Sequence, residues 1–176
     1  MIRKVYRSLK ERFLLQVCLL IFINLLAVAG YAQQPPPRPT SVSVNPSLGL
    51  RFGAFFQSSS GGTVTVSASG IRTSTGGVVL TTIGGFTYGT AEFDIVASPG
   101  TLISILNGPD VTLYGSAGGS LTLHIGSSSP SSPLVTTVNP PSYNSIYIGG
   151  TLTVGSPVAN PSGSYSGSFY VTFMQE

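Results

Sequence analysis

From Ser41 onward, apolar residues recur at every second position and no helical period is present. Side chains of an extended chain point alternately to opposite faces, so this spacing makes half-buried β-strands. The pattern is clearest near the end. Ile146, Ile148, Gly150, Leu152 and Val154 hold the even positions of one segment. Tyr165, Gly167, Phe169, Val171 and Phe173 hold the odd positions of the next. The spacing predicts two long strands that close the fold. Gly149-Gly150 and Gly167 are expected at bulges or close backbone contacts.

The earlier segments follow the same rule. Ser41–Val44 reads as a short edge strand broken by Pro46. Leu48, Leu50, Phe52, Ala54 and Phe56 share one face of the next strand, with Arg51 and Phe55 on the other. Gln57–Gly62 is a Ser/Gly-rich turn, and Val64, Val66 and Ala68 point inward after it. Gly70 and Gly76-Gly77 bracket a loop that carries Arg72. Phe93 and Ile95 oppose Glu92 and Asp94, and Leu102–Leu106 is apolar on both faces. Val111–Tyr114, Leu121–Ile125 and Leu134–Val138 complete the set. About nine to eleven strands with turn signals every eight to twelve residues predict an all-β, antiparallel sandwich with Greek-key or jelly-roll connections.

The first residues read differently. Arg3, Lys4, Arg7, Lys10 and Arg12 precede an apolar run from Phe13 to Ala29, and Gly30-Tyr31-Ala32 supplies small residues for cleavage. This is the anatomy of a secretory signal helix over residues 1–32, cut after Ala32 or, second, after Ala29. An uncleaved anchor is the alternative, since the run is near the lower limit for spanning a bilayer. Residues 33–40 carry four prolines and read as an extended linker, leaving 41–176 as a single domain. The expected location is therefore outside the inner membrane, extracellular or at the cell surface, with the periplasm as the other destination.

Five of the eight basic residues lie in that leader. Beyond residue 32 there remain Arg38, Arg51 and Arg72 against Glu92, Asp94, Asp110 and Glu176, a formal charge of −1. The basic balance belongs to the leader, and no patch is left for phosphates, which argues against nucleic-acid binding. The lone Cys18 sits in the apolar run, so the domain has no thiol and no disulfide. With so little charge to keep copies apart, the surface suits contact with copies of itself or other cell-surface proteins.

Catalytic and metal signals are thin. His124 is the only histidine, on the side of its strand opposite Leu123 and Ile125, and no Gly-x-Ser-x-Gly elbow accompanies it. Glu92 and Asp94 share a strand face, as a glycosidase pair or a Ca²⁺ site would need, but no ligand-rich loop follows. The glycine pairs lack the Lys-Ser/Thr of a phosphate loop. We expect no enzyme activity, no cofactor and no metal. Thr-x-Thr segments at Thr63/Thr65 and Thr151/Thr153 suggest a flat hydroxyl surface, but no constant repeat supports one.

Several pieces together resemble a known family. They are Phe52-Gly53, Gly62-Thr63-Val64-Thr65-Val66, Gly70-Ile71-Arg72 with Gly76-Gly77, Ala91-Glu92-Phe93-Asp94-Ile95, Ile148-Gly149-Gly150-Thr151-Leu152 and Tyr165-Ser166-Gly167-Ser168-Phe169-Tyr170-Val171-Thr172. In this order they resemble the secreted bacterial domain of unknown function 4402, itself similar to spore coat protein U and fimbrial-subunit β-sandwiches. The resemblance implies an immunoglobulin-like or pilin-like sandwich with Gly53, Gly70, Gly149, Gly150 and Gly167 in structural roles. It also implies an exported protein with no established enzymatic role, and we expect a structural or adhesive, pilin-like surface protein. Tyr147, Thr151, Thr153, Tyr170 and Thr172 are the candidate contacts, expected on one uncharged face. A glycan-binding module using Tyr143, Tyr147 or Tyr170 is the alternative.

Overall fold

A computed structural model describes residues 16–17, 40–44 and 48–176. The expected signal segment with its cleavage points and the expected Pro-rich linker lie outside the described residues, apart from Gln16, Val17 and Thr40. The chain divides into two compact units, 1–37 and 38–176, and the second holds every described strand.

Described residues 40–176 contain thirteen strands and no α-helix, and every pairing is antiparallel. In chain order these are β1 (Ser41–Val44), β2 (Arg51–Phe52), β3 (Phe55–Val66), β4 (Arg72–Leu80), β5 (Tyr88–Gly89), β6 (Ala91–Val96) and β7 (Leu102–Asn107). Then follow β8 (Val111–Gly115), β9 (Ser120–Ser129), β10 (Leu134–Val135), β11 (Asn144–Val154), β12 (Tyr165–Ser166) and β13 (Val171–Gln175). Eight of them form one sheet through the path β1-β6-β11-β9-β8-β12, with β3 and β4 joined to it at β11. β10-β7-β13 form a second sheet, and β2-β5 a third.

The organising strand is β11. One edge pairs with β9 along most of its length. The other edge pairs first with β6, over Asn144–Ile148, and then with β3, over Gly150–Val154. Gly149 is the branch point. A Cβ there would sit 2.3 Å from the Val66 carbonyl oxygen and 2.7 Å from the Ala68 nitrogen, so only hydrogen fits. The register with β9 shifts at the same place, with one extra residue on β9 beside Gly126.

The core follows the alternation. Val64, Val66, Ile95, Ile103, Ile146 and Ile148 are completely buried, and Leu121, Leu123, Leu152 and Val154 nearly so. Each such side chain contributes about 1.5–3 kcal/mol by leaving water. β13 adds Val171 and Phe173 to this cluster. The ring of Phe173 lies 5.3 Å from that of Phe93 on β6, and Phe169 meets Phe93 edge-on at 6.4 Å. These contacts tie the three-stranded sheet to the eight-stranded one.

Five expectations change. First, Leu48 to Phe56 is not one alternating strand. Gly53 adopts φ +66° between β2 and β3, which reverses the parity. Phe55 packs on the core and Phe56 is 62% exposed. Second, Gln57–Gly62 is not a turn between strands, and Arg72 is not in a loop. β3 runs through as one strand against β4, and Ser58–Gly61 bulge out opposite Gly77. A Cβ on Gly77 would strike Ser58 Oγ. The true turn is Ser67–Ile71, closed by Gly70 N–H donating to the Ser67 carbonyl.

Third, Leu102–Leu106 is not buried on both faces, since Ile103 is enclosed and Leu106 is 58% exposed. Fourth, the strand expected over Leu134–Val138 stops at Val135. Buried Thr136 instead donates to the Ser98 carbonyl at 2.6 Å. Fifth, the closing segment Tyr165–Phe173 is two strands on different sheets. β12 pairs with β8 and β13 with β7, and neither pairs with β11.

Candidate interaction surface

Directly opposed residues of antiparallel neighbours point to the same side of a sheet. The outward side chains of the large sheet can therefore be placed in rows. One row reads Thr75 on β4, Thr63 on β3, Thr153 on β11, Thr122 on β9 and Thr112 on β8. These are five threonines in register across five adjacent strands. The next row reads Thr73, Thr65 and Thr151, followed by His124 on β9. Hydroxyls within the rows touch: Thr63 and Thr75 at 2.7 Å, Thr65 and Thr151 at 3.0 Å.

His124 ends the second row, and its Nδ1 lies 2.7 Å from Asp110 Oδ1. Both side chains are largely in solvent, at 69% and 56% exposure. An exposed pair of this kind contributes about 0–1 kcal/mol.

Beyond Gly149 the same face changes character. Tyr147 stands between Glu92 on β6 and Ser129 on β9. Ser145 stands opposite Asp94 and donates to its Oδ1 at 2.8 Å. Glu92 and Asp94 are thus on the outer face, as their spacing implied. No group of three or more His, Cys, Asp or Glu residues that could hold a metal ion occurs among the described residues.

The five candidate contacts do not form one uncharged face. Thr151 and Thr153 lie in the threonine rows, and Tyr147 lies beside Glu92. Thr172 is on β13 in the other sheet, and Tyr170 directly precedes that strand at 77% exposure. The split of the closing segment between two sheets separates them. Of the five glycines, Gly53 and Gly70 have positive φ. Gly149, Gly150 and Gly167 are crowded: a Cβ would meet Val66 O, His124 O at 2.9 Å, and Leu113 Cδ2 at 2.6 Å, respectively.

A second surface lies on the β3–β4 hairpin. Among the described residues β4 pairs only with β3, which leaves its other edge without a strand partner. Phe56 and Val79 stand directly opposite each other there, each 62% exposed. The segment after β4 adds Ile83, Phe86 and Tyr88, all exposed. This apolar group was hidden in the sequence, because an unbroken alternation assigned Phe56 to the core.

Arg72 anchors the base of that hairpin. It donates from Nη1 to the Thr81 carbonyl at 3.2 Å and from Nη2 to the Ala54 carbonyl at 2.5 Å. Its guanidinium carbon lies 5.3 Å from the Tyr88 ring centroid. Burial lowers its pKa, and Tyr88 works in the opposite direction. Nε is buried and has no hydrogen-bond partner among the described residues. With Leu80, Thr81, Thr82 and Tyr88 it lines a shallow cleft of about 200 Å³. The arrangement joins β4 to the link between β2 and β3, to Thr81 just after β4 and to β5, which makes Arg72 a structural clasp.

Asn160 is a further residue that the pattern did not reveal. It is 5% exposed, accepts from Gly155 N–H and donates to the Ser120 carbonyl, each at 2.5 Å. Its own carbonyl accepts from Gln57 Nε2 at 2.6 Å. It fastens the loop after β11 to the start of β9. The only sequence signal was an Asn in a Gly/Pro/Ser-rich turn.

A family model described as a domain of unknown function, DUF4402, matches residues 42–174. No curated protein and no solved structure matches the chain.

Proposed function

The chain belongs to the DUF4402 family, a domain of unknown function, and from that premise we propose an exported structural or adhesive cell-surface protein. It acts as a pilin-like subunit, by self-association or by attachment to a surface. The observation that carries this reading is the open β4 edge with its exposed Phe56–Val79 pair. Native proteins normally blunt such an edge with charge, proline or cover. Here the segment that follows β4 carries further exposed apolar side chains, Ile83, Phe86 and Tyr88.

Three further features support the reading. The basic, apolar leader supports export. The low charge reduces repulsion between copies. Packing of Phe93 against Phe169 and Phe173 across two sheets supports an immunoglobulin-like or pilin-like sandwich. Sedimentation of the full chain over a range of concentrations tests the idea. Assembly that disappears in Phe56→Asp and Val79→Lys supports it, and a monomer at every concentration overturns it.

Glycan binding is the second reading, favoured by the exposed Tyr143, Tyr147 and Tyr170. Aromatic faces suit sugar rings, and Tyr147 has Glu92 beside it to accept hydroxyl protons. Binding on a glycan array that is lost in Tyr147→Ala would support this reading. A blank array would remove it.

A further inference from the structure

The threonine rows are independent of the open edge and of self-association. Their geometry is two-dimensional. Neighbouring strands are about 4.8 Å apart, and residues i and i+2 repeat about every 6.7 Å along a strand. Thr63, Thr65, Thr151 and Thr153 occupy four corners of this mesh on β3 and β11, and Thr122 extends it onto β9. Each position presents a methyl group and a hydroxyl at a fixed height. β-branched side chains are stiff at χ1, so the array is ordered before anything binds. Cross-strand contacts at 2.7 and 3.0 Å link hydroxyls to one another.

Three partners could meet such a face. A second copy is disfavoured by size. Five strands by two rows cover on the order of 300 Å², against about 800 Å² per partner in a stable protein interface. A sugar chain is disfavoured by chemistry. Sugars are gripped by aromatic platforms and by planar amide or carboxylate groups; from Thr75 to Thr122 the rows hold none, and Tyr114, Tyr147 with Glu92, and Asp110 stand only at their margins. Water is favoured, because a neutral, periodic mesh of hydroxyls and methyls can hold a two-dimensional layer of it in place.

We propose that this face orders water into a lattice and adsorbs to ice. Sheet twist of roughly 20–25° per strand limits flat contact to about three strands. The contact therefore centres on β3, β11 and β9. Modest adsorption on growing crystal faces is expected, and Thr63, Thr122 and Thr153 carry it.

The test is ice growth in the presence of the purified full chain, read as crystal shape and as grain coarsening in a frozen film. Thr153→Tyr and Thr122→Tyr put a ring on the face without opposing strand propensity. Thr172→Tyr makes the same change on the other sheet and serves as the control. Unchanged thermal melting shows that each variant folds. The expected result is faceted crystals and slowed coarsening with the parent and with Thr172→Tyr, and loss of both effects with Thr153→Tyr and Thr122→Tyr. Growth identical to that in buffer alone overturns the proposal, as does full activity in Thr153→Tyr. Thr153-dependent co-sedimentation with microcrystalline cellulose or chitin, without an effect on ice, also overturns it and assigns the face to polysaccharide. Repeating the ice assay in Phe56→Asp separates this outcome from that of the self-association reading.

Discussion

Gly149 leaves no space for a methyl group, because backbone from β3 occupies the site on one side and β9 shifts register on the other. Gly149→Ala is expected to destabilise the domain by about 1–3 kcal/mol, the usual cost of forcing atoms into a packed site. Urea denaturation measures it. Asn160 has a different sensitivity. Its amide is buried and satisfied by backbone on two sides. Asn160→Ala leaves the Gly155 N–H and the Ser120 carbonyl unpaired, at about 1–3 kcal/mol. His124 is a contrast in solvent, and His124→Ala is expected within about 0.5 kcal/mol of the parent. Val171 faces the core as its parity predicts, but it is only half-buried. Val171→Asp therefore costs less than a fully enclosed charge would.

At the level of elements, the inward faces were legible where a strand is regular. Val64 with Val66, Phe93 with Ile95, and Ile146 with Ile148 are all buried as their alternation requires. Misreadings cluster where one residue changes parity or count. Gly53 turns the chain once and exchanges the roles of Phe55 and Phe56. The Ser58–Gly61 bulge has turn composition without being a turn. Local sequence cannot report either, because the evidence for both lies in β4, on the partner strand. The threonine rows were illegible for a similar reason. Their members come from five separate segments, so no repeat exists along the chain. The hairpin offers a clean check. Gly77→Val should fail against Ser58 and lower the melting temperature, whereas Val79→Lys two positions on should leave it unchanged.

At the scale of the whole molecule, β11 decides when the eight-stranded sheet can close. Thr65 and Thr151 touch although 86 positions separate them. β3, β6 and β9 join one sheet only through a strand that begins at Asn144, although β3 already has β4 and β9 already has β8 as hairpin partners. Such non-local pairing folds slowly, in milliseconds to seconds, because loops must close before contacts compensate. A chain ending at Asn139 is expected to show no cooperative melting transition by circular dichroism. During synthesis at about 5–20 residues per second, the large sheet therefore closes only after the first four-fifths of the polypeptide has been made. The hairpins can form as they are made, and the sheet that unites them is the last thing the chain acquires.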